Sequence, residues 1–209
     1  MLAIIDYKIG NFGSLVNAFD CLNTSLKIVS QPIKIHEYGG IILPGVGAFD
    51  TAMHSLHNTG FAEEIKKFAA SGKPILGICL GLQIMCNGSD EGSEKGLGLI
   101  DAHITSLSSM GCKGKIPHVG FNEITASSGQ KNFMSTSAAK DFYFVHSFAL
   151  GKINSNNQNV YCSWTEYEGA KFISAFQVNN IYATQFHPEK SGEAGIKLIS
   201  EFISCSKNV

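Results

Sequence analysis

Residues 72 to 86 read GKPILGICLGLQIMC, and the reading of this stretch decides the fold. Pro74 to Ile78 has the length and composition of a buried strand, whereas Leu80, Leu82, Gln83, Ile84 and Met85 read as the opening of a helix. Cys79 stands at the join, between Gly77 and Gly81. A joint this tight needs residues that allow close backbone approach or a left-handed backbone, and the two glycines supply that freedom. The thiol is thereby lifted out of the core. The first N–H groups of the helix have no intrahelical partner, so they favour a thiolate and can bind a developing oxyanion. A free cysteine is more often a small core residue, so Gly-Ile-Cys-Leu-Gly alone leaves both readings open.

Outward from that stretch, strands and helices alternate. Leu2 to Asp6 reads as a short buried strand, Leu15, Val16, Phe19 and Leu22 as a helical stripe, Ile41 to Leu43 as another strand, and Phe61, Ile65 and Phe68 as one face of a helix. This predicts an α/β fold with a mostly parallel sheet covered by helices. The second half is richer in strands: HITSL at 103–107, YFVHSFAL at 143–150, FISAFQV at 172–178 and IYATQF at 181–186, the last two joined by a turn at Asn179-Asn180. Asn154 to Asn159 is polar enough for a surface loop, and a helix from about Gly192 to Ile203 closes the chain. In open sheets of this kind ligands bind at the carboxyl ends of the strands, where Cys79 stands.

The composition, 209 residues with 44% hydrophobic content and a formal net charge of -1, predicts one globular domain over 1–209 and shows no basic bias toward nucleic acid. No signal-peptide pattern follows Met1 and no apolar run is long enough for a bilayer, so no membrane and a cytoplasmic location are expected. Cys21, Cys79, Cys86, Cys112, Cys162 and Cys205 contain no CxxC pair, which predicts reduced thiols and no metal site.

A base for Cys79 is found after the strand IYATQF, where the chain reads Gln185-Phe186-His187-Pro188-Glu189. Residues two apart in an extended chain point to the same side, and Pro188 favours that geometry, so His187 and Glu189 can lie side by side. A carboxylate on one imidazole nitrogen orients the ring and stabilises its cation, leaving the other nitrogen for a thiol. An isolated His-x-Glu is more often a strand-end histidine near a solvated carboxylate, but the upstream cysteine joint shifts the balance toward a Cys79, His187, Glu189 triad. Pro44-Gly45-Val46-Gly47 follows a further buried strand, and its glycines let the backbone present an N–H to a ligand. The N–H groups of Val46 and Leu80 are candidates for an oxyanion hole.

GICLGLQ and QFHPEKS together resemble the class I glutamine amidotransferases. DYKIGNFGSL, LPGVGAFDTAM, GLGLI, IPHVGFNEI and YFVHSF narrow the resemblance to the glutaminase subunits of imidazole glycerol phosphate synthase, nearly end to end. The resemblance implies a flavodoxin-like three-layer sandwich with additional antiparallel strands in the second half, with Cys79 as nucleophile, His187 as general acid/base and Glu189 as its orienting partner. It also implies glutamine recognition by Gln83 and Glu91, with the backbone at Gly47, Ser147 and Phe148 holding the amino-acid end. No cofactor is implied.

Ammonia released from glutamine is nucleophilic only until it is protonated, so an acceptor must be close, and no phosphate-binding fingerprint for one is present in this chain. The resemblance implies a second chain, a (β/α)8-barrel cyclase of histidine biosynthesis, in a heterodimer. It would meet the Ile9 to Phe12 loop with Asn11 and Phe12, the Pro117 to Asn122 loop with Phe121 and Asn122, and Tyr143 and Lys190. Three departures stand out: Gly13 where the family commonly has Arg, Phe121 where it has Trp, and Phe148 where it has Tyr. All three are expected away from the triad, on surfaces that choose the partner. They leave room for a paralogue feeding another synthase, such as one modifying a surface sugar; a free-standing α/β thiol hydrolase or chaperone-like protein is the alternative of another class.

Overall fold

LAII, GIIL and ILGI have no polar face, so each requires cover on both sides, and they become adjacent parallel strands at the centre of a sheet. The computed structural model describes residues 1–10, 12–126, 141–154 and 160–207. Asn11 and residues 155–159 of the expected polar loop lie outside the described residues. The first half runs β1 (Leu2–Ile5), α1 (Gly13–Asp20), β2 (Leu26–Val29), β3 (Gly40–Leu43), α2 (Phe49–Thr59), α3 (Phe61–Ala70), β4 (Ile75–Ile78) and α4 (Leu80–Ile84). The second half is mostly strand: β5 (Gly88–Ser89), β6 (His103–Ser106), β7 (His118–Glu123), β8 (Thr125–Ala126), β9 (Asp141–His146), β10 (Phe148–Leu150), β11 (Val160–Tyr167), β12 (Ala170–Val178) and β13 (Ile181–Thr184), before α5 (Gly192–Ser206).

The main sheet has the order β2-β1-β3-β4-β13-β12-β10-β6-β5. From β2 to β13 all neighbours are parallel; β12 then turns back on β13 as an antiparallel hairpin, with Val178 opposite Ile181 and Asn179 at φ 52° in the turn. β11 and β10 extend the antiparallel part. β1 alternates between two cores: Ala3 and Ile5 face a cluster with α2 and α3, while Leu2 and Ile4 face a cluster with α1 and α5. The result is the expected three-layer α/β sandwich. No helix of the described residues is long and apolar enough to cross a membrane.

Two expectations about the second half need correction. The stretch from Pro117 to Asn122 is not simply a loop: from His118 onward it is β7, which pairs with β9 in a separate two-stranded antiparallel sheet. YFVHSFAL is not one strand either. It pairs with β7 as far as His146, breaks at Ser147, and resumes at Phe148 against β6 in the main sheet. A change of partner sheet requires the chain to change direction, and the break places Ser147 and Phe148 on the wall of a cavity.

Candidate active site

The register of β4 and β13 pairs Ile78 with Thr184, and the Cys79 N–H donates to the Thr184 carbonyl at 2.7 Å. The segments leaving both strands, with Cys79 on one and His187 on the other, therefore emerge together at the carboxyl edge of the parallel sheet. At the joint, Cys79 itself takes the unusual backbone, φ 54° and ψ −108°, and not the flanking glycines. The glycines serve close approach: a Cβ on Gly81 would lie 1.8 Å from the Leu43 carbonyl oxygen, and one on Gly77 would lie 2.4 Å from the Met85 methyl. A strained backbone at a cysteine beside a cavity is maintained by such packing.

His187 is extended, but Pro188 starts a short turn, Pro188–Lys190, and does not continue the strand. The turn still brings Glu189 Oε1 to 2.7 Å from His187 Nδ1. The imidazole is buried, which disfavours its charge, but Cys79 and then Glu189 outweigh burial and push its pKa up to about 9. Nε2 of His187 and Oε2 of Glu189 are buried and make no hydrogen bond among the described residues. The main chain of His187 is fixed as well: its backbone N–H donates to the Tyr143 carbonyl at 2.9 Å, and Ser191 Oγ donates to its carbonyl at 2.6 Å.

Cys79 and His187 open onto a cavity of about 240 Å³. Val46, Gly47 and Leu80 line it, as do Gln83, Glu91, Ser147 and Phe148. Leu80 is the first residue of α4, so its N–H has no partner within the helix. Val46 is 47% exposed beside Gly47 at φ 112°, while the Pro44 carbonyl accepts a 2.5 Å hydrogen bond from the buried Tyr7 hydroxyl. Glu91 Oε2 accepts the Phe49 N–H at 2.9 Å, capping the positive end of α2 and holding the carboxylate at the cavity.

Gln83 is more constrained than its helix position suggests. Its Nε2 donates to the Phe148 carbonyl at 2.9 Å and to Gln185 Oε1 at 3.2 Å, so its amide builds the cavity wall. Phe148 lies in this wall, where a backbone that holds the substrate has to be, and not away from Cys79 as expected of the Phe148 departure. Gln185 and His146 carried no local signal: Gln185 Nε2 lies 3.6 Å from Cys79 Sγ, and His146 lines the cavity. Only the adjacency of Gln185 to the His187 motif could have drawn attention to it.

The remaining partner-facing candidates fall into two groups. Phe121, 62% exposed, packs edge-on against Tyr143 with centroids 5.6 Å apart, and Lys190 Nζ lies 5.7 Å from the Tyr143 ring centre, so these three form one patch beside the His187 turn. Asn122 instead turns its Nδ2 to the Glu166 carbonyl at 3.3 Å, and the partly buried Phe12 packs against the core under α1.

Similarity to known proteins agrees with this geometry. The model of the family "Glutamine amidotransferase class-I" matches residues 3–205. Imidazole glycerol phosphate synthase subunit HisH 1 of Legionella pneumophila (strain Lens) is 40% identical over 97% of this chain and 98% of its own length. Subunit HisH 2 of Methanococcus maripaludis is 41% identical over 97% and 98%. Among solved structures, a glutamine amidotransferase superposes with a TM-score of 0.74 at 16% identity, covering 99% of this chain and 98% of that one. PurLQS from Thermotoga maritima superposes with a TM-score of 0.72 at 21% identity, covering 98% and 97%. The two structures share the fold, while the family match and the full-length relatives carry the assignment: this chain belongs to the class I glutamine amidotransferases.

Proposed function

We propose that this chain, working as a single amidotransferase domain, is the glutaminase subunit of an imidazole glycerol phosphate synthase and passes ammonia to a (β/α)8-barrel cyclase in histidine biosynthesis. The observation that carries the glutaminase reading is the convergence of Cys79 and His187 on one cavity from two neighbouring strands, with Glu189 hydrogen-bonded to the far nitrogen of the His187 ring. Full-length similarity to HisH subunits supports the pathway.

In this reading the proton of Cys79 already rests on His187 Nε2, as the raised pKa of that ring favours, and Sγ attacks the side-chain amide carbon of glutamine. The Val46 and Leu80 N–H groups receive the oxyanion. His187 protonates the amide nitrogen, the C–N bond breaks, and ammonia leaves a thioester on Cys79. Water attacks that thioester, giving its proton to His187, and glutamate departs as the C–S bond breaks. Glu189 keeps the ring oriented and compensates its charge. Glu91, with the backbone at Gly47, Ser147 and Phe148, holds the charged end of the substrate.

The Phe121, Tyr143 and Lys190 patch is the proposed seat of the cyclase, and the resemblance adds Asn11, Phe12 and Asn122 as further contacts. The test is co-purification with the cyclase barrel of the same genome, followed by an assay of glutamine-dependent imidazole glycerol phosphate formation. No complex and no stimulation by that cyclase, with stimulation by another synthase, assigns the chain to a paralogous system. Full glutaminase turnover without any partner favours a free-standing hydrolase.

A further inference from the structure

Two buried histidines that the proposed chemistry does not use lie one behind the other, His146 lining the cavity and His118 beyond it. His118 opens β7 and His146 ends β9, and the antiparallel register places them directly opposite each other. Nδ1 of His118 lies 3.2 Å from Nε2 of His146, and Nδ1 of His146 lies 3.0 Å from the Phe148 carbonyl oxygen. A carbonyl only accepts, so His146 must donate from Nδ1. In the neutral ring Nε2 is then the acceptor, and His118 must donate to it. Each link thus dictates the tautomer of the next. Burial keeps both rings neutral, pushing His118 down to about 4 and His146, also disfavoured by His118 and His187, down to about 3.

The chain ends where the cavity wall begins. The Phe148 carbonyl that accepts from His146 also accepts from Gln83 Nε2 at 2.9 Å, and Gln83 in turn bonds Gln185. At the other end the His118 ring is stacked between Phe144 and Tyr167, with centroids at 4.9 and 3.9 Å. The same strand carries Val119 and Phe121 outward, 56% and 62% exposed. One strand therefore holds an exposed apolar face and the first link of a hydrogen-bond chain to the cavity.

We propose that His118 is a positioning residue: acting through His146, it sets the Phe148 carbonyl and the Gln83 amide on the wall that receives the amino-acid end of glutamine. This rests on the reading of the cavity as a glutamine site. A shift of β7 is carried to that wall through the two histidine hydrogen bonds, so occupancy of its outer face reaches substrate binding.

The test labels Cys79 in the full-length chain with a chloroketone analogue of glutamine, whose chloride Sγ displaces to leave a thioether, and follows the adduct by mass spectrometry. Iodoacetamide, which has no amino-acid end, reports the bare reactivity of the thiol. His118→Phe keeps an aromatic ring in the stack but removes the donor to His146. The expected result is a rise of about tenfold in the half-saturating concentration of the analogue, the scale of one lost hydrogen bond, with a smaller effect on the limiting rate. His118→Asn places an amide nitrogen where Nδ1 stood and should recover most of that rise although it loses the stack.

Unchanged half-saturation in a folded His118→Phe overturns the proposal. So does a pattern in which both variants lose labelling and thermal stability alike, because that describes a purely structural histidine. Should His118→Phe not fold, comparison of His118→Asn with His118→Leu decides the same point. If the parent chain is labelled by the analogue without saturation, at the rate of iodoacetamide, the glutamine-site reading itself is overturned, a result distinct from either of the others.

Discussion

Glu189 reaches His187 across a proline: Oε1 lies 2.7 Å from Nδ1 because the chain turns at Pro188 and folds the carboxylate back under the ring. The pair raises the question of how much of the reaction depends on the charge of Glu189 and how much on its hydrogen bond. Glu189→Gln keeps an acceptor but removes the charge, so the His187 pKa should fall from about 9 toward its ordinary value. Glutamine hydrolysis should slow on the order of 10²-fold, and the alkaline limb of its pH profile should move to lower pH. An unaltered rate and profile would reassign Glu189 to a structural role.

Cys79→Ala and Cys79→Ser should abolish glutamine-dependent synthesis in the complex while leaving synthesis from added ammonia intact. Both donors are assayed with the partner present. Equal loss of the two activities would mean structural damage rather than loss of a nucleophile. Serine at Cys21, which is exposed, should change neither activity.

Gly45 is a contact position. A Cβ there would lie 2.7 Å from the Tyr7 hydroxyl oxygen and 2.9 Å from the Leu80 Cβ, so Gly45→Ala must displace the segment after β3 that presents the Val46 N–H. Loss of one oxyanion donor should lower glutaminase turnover on the order of 10²- to 10³-fold and spare ammonia-dependent synthesis. Measured glutamate release near the parent rate would remove Val46 from the oxyanion site.

Stability should fall on both sides of about pH 6.5. The His187 pKa is raised in the folded chain, so its stabilisation is complete below the unfolded value near 6.5 and is lost as pH rises through about 9. The pKa values of His118 and His146 are lowered, so unfolding takes up protons once pH drops below about 6.5, and their contribution is lost on the way down to about 4 and about 3. Each proton taken up only on unfolding steepens the acid limb by about 1.4 kcal/mol per pH unit. Thermal midpoints from pH 4 to 9 check this; His118→Phe should flatten the acid limb and leave the alkaline limb in place.

What could be read from the chain alone was local. Strand, cysteine and helix lie within residues 72–86, and the apolar runs at Leu2, Ile41 and Ile75 declare buried parallel strands by composition. Cys79, His187 and Glu189 were legible as candidates for the same reason, since a thiol at a tight joint and a His-x-Glu at a strand end each carry a local signal. The short edge strand β2 and the long β11 gave no comparable pattern, because their residues are only partly covered.

Tertiary structure alone decided how the site is built around those residues. The positive φ fell on Cys79 because the glycines beside it were needed for contact with Leu43 and Met85. Phe148 entered the cavity wall because two sheets compete for one strand and the chain breaks at Ser147. Gln185 and the His118 to His146 link join residues 106 and 28 positions from their partners, Cys79 and each other. Hydrogen bonds of that range leave no periodicity in a sequence; they exist only once strand register has placed donor opposite acceptor and burial has excluded the water that would otherwise take their place.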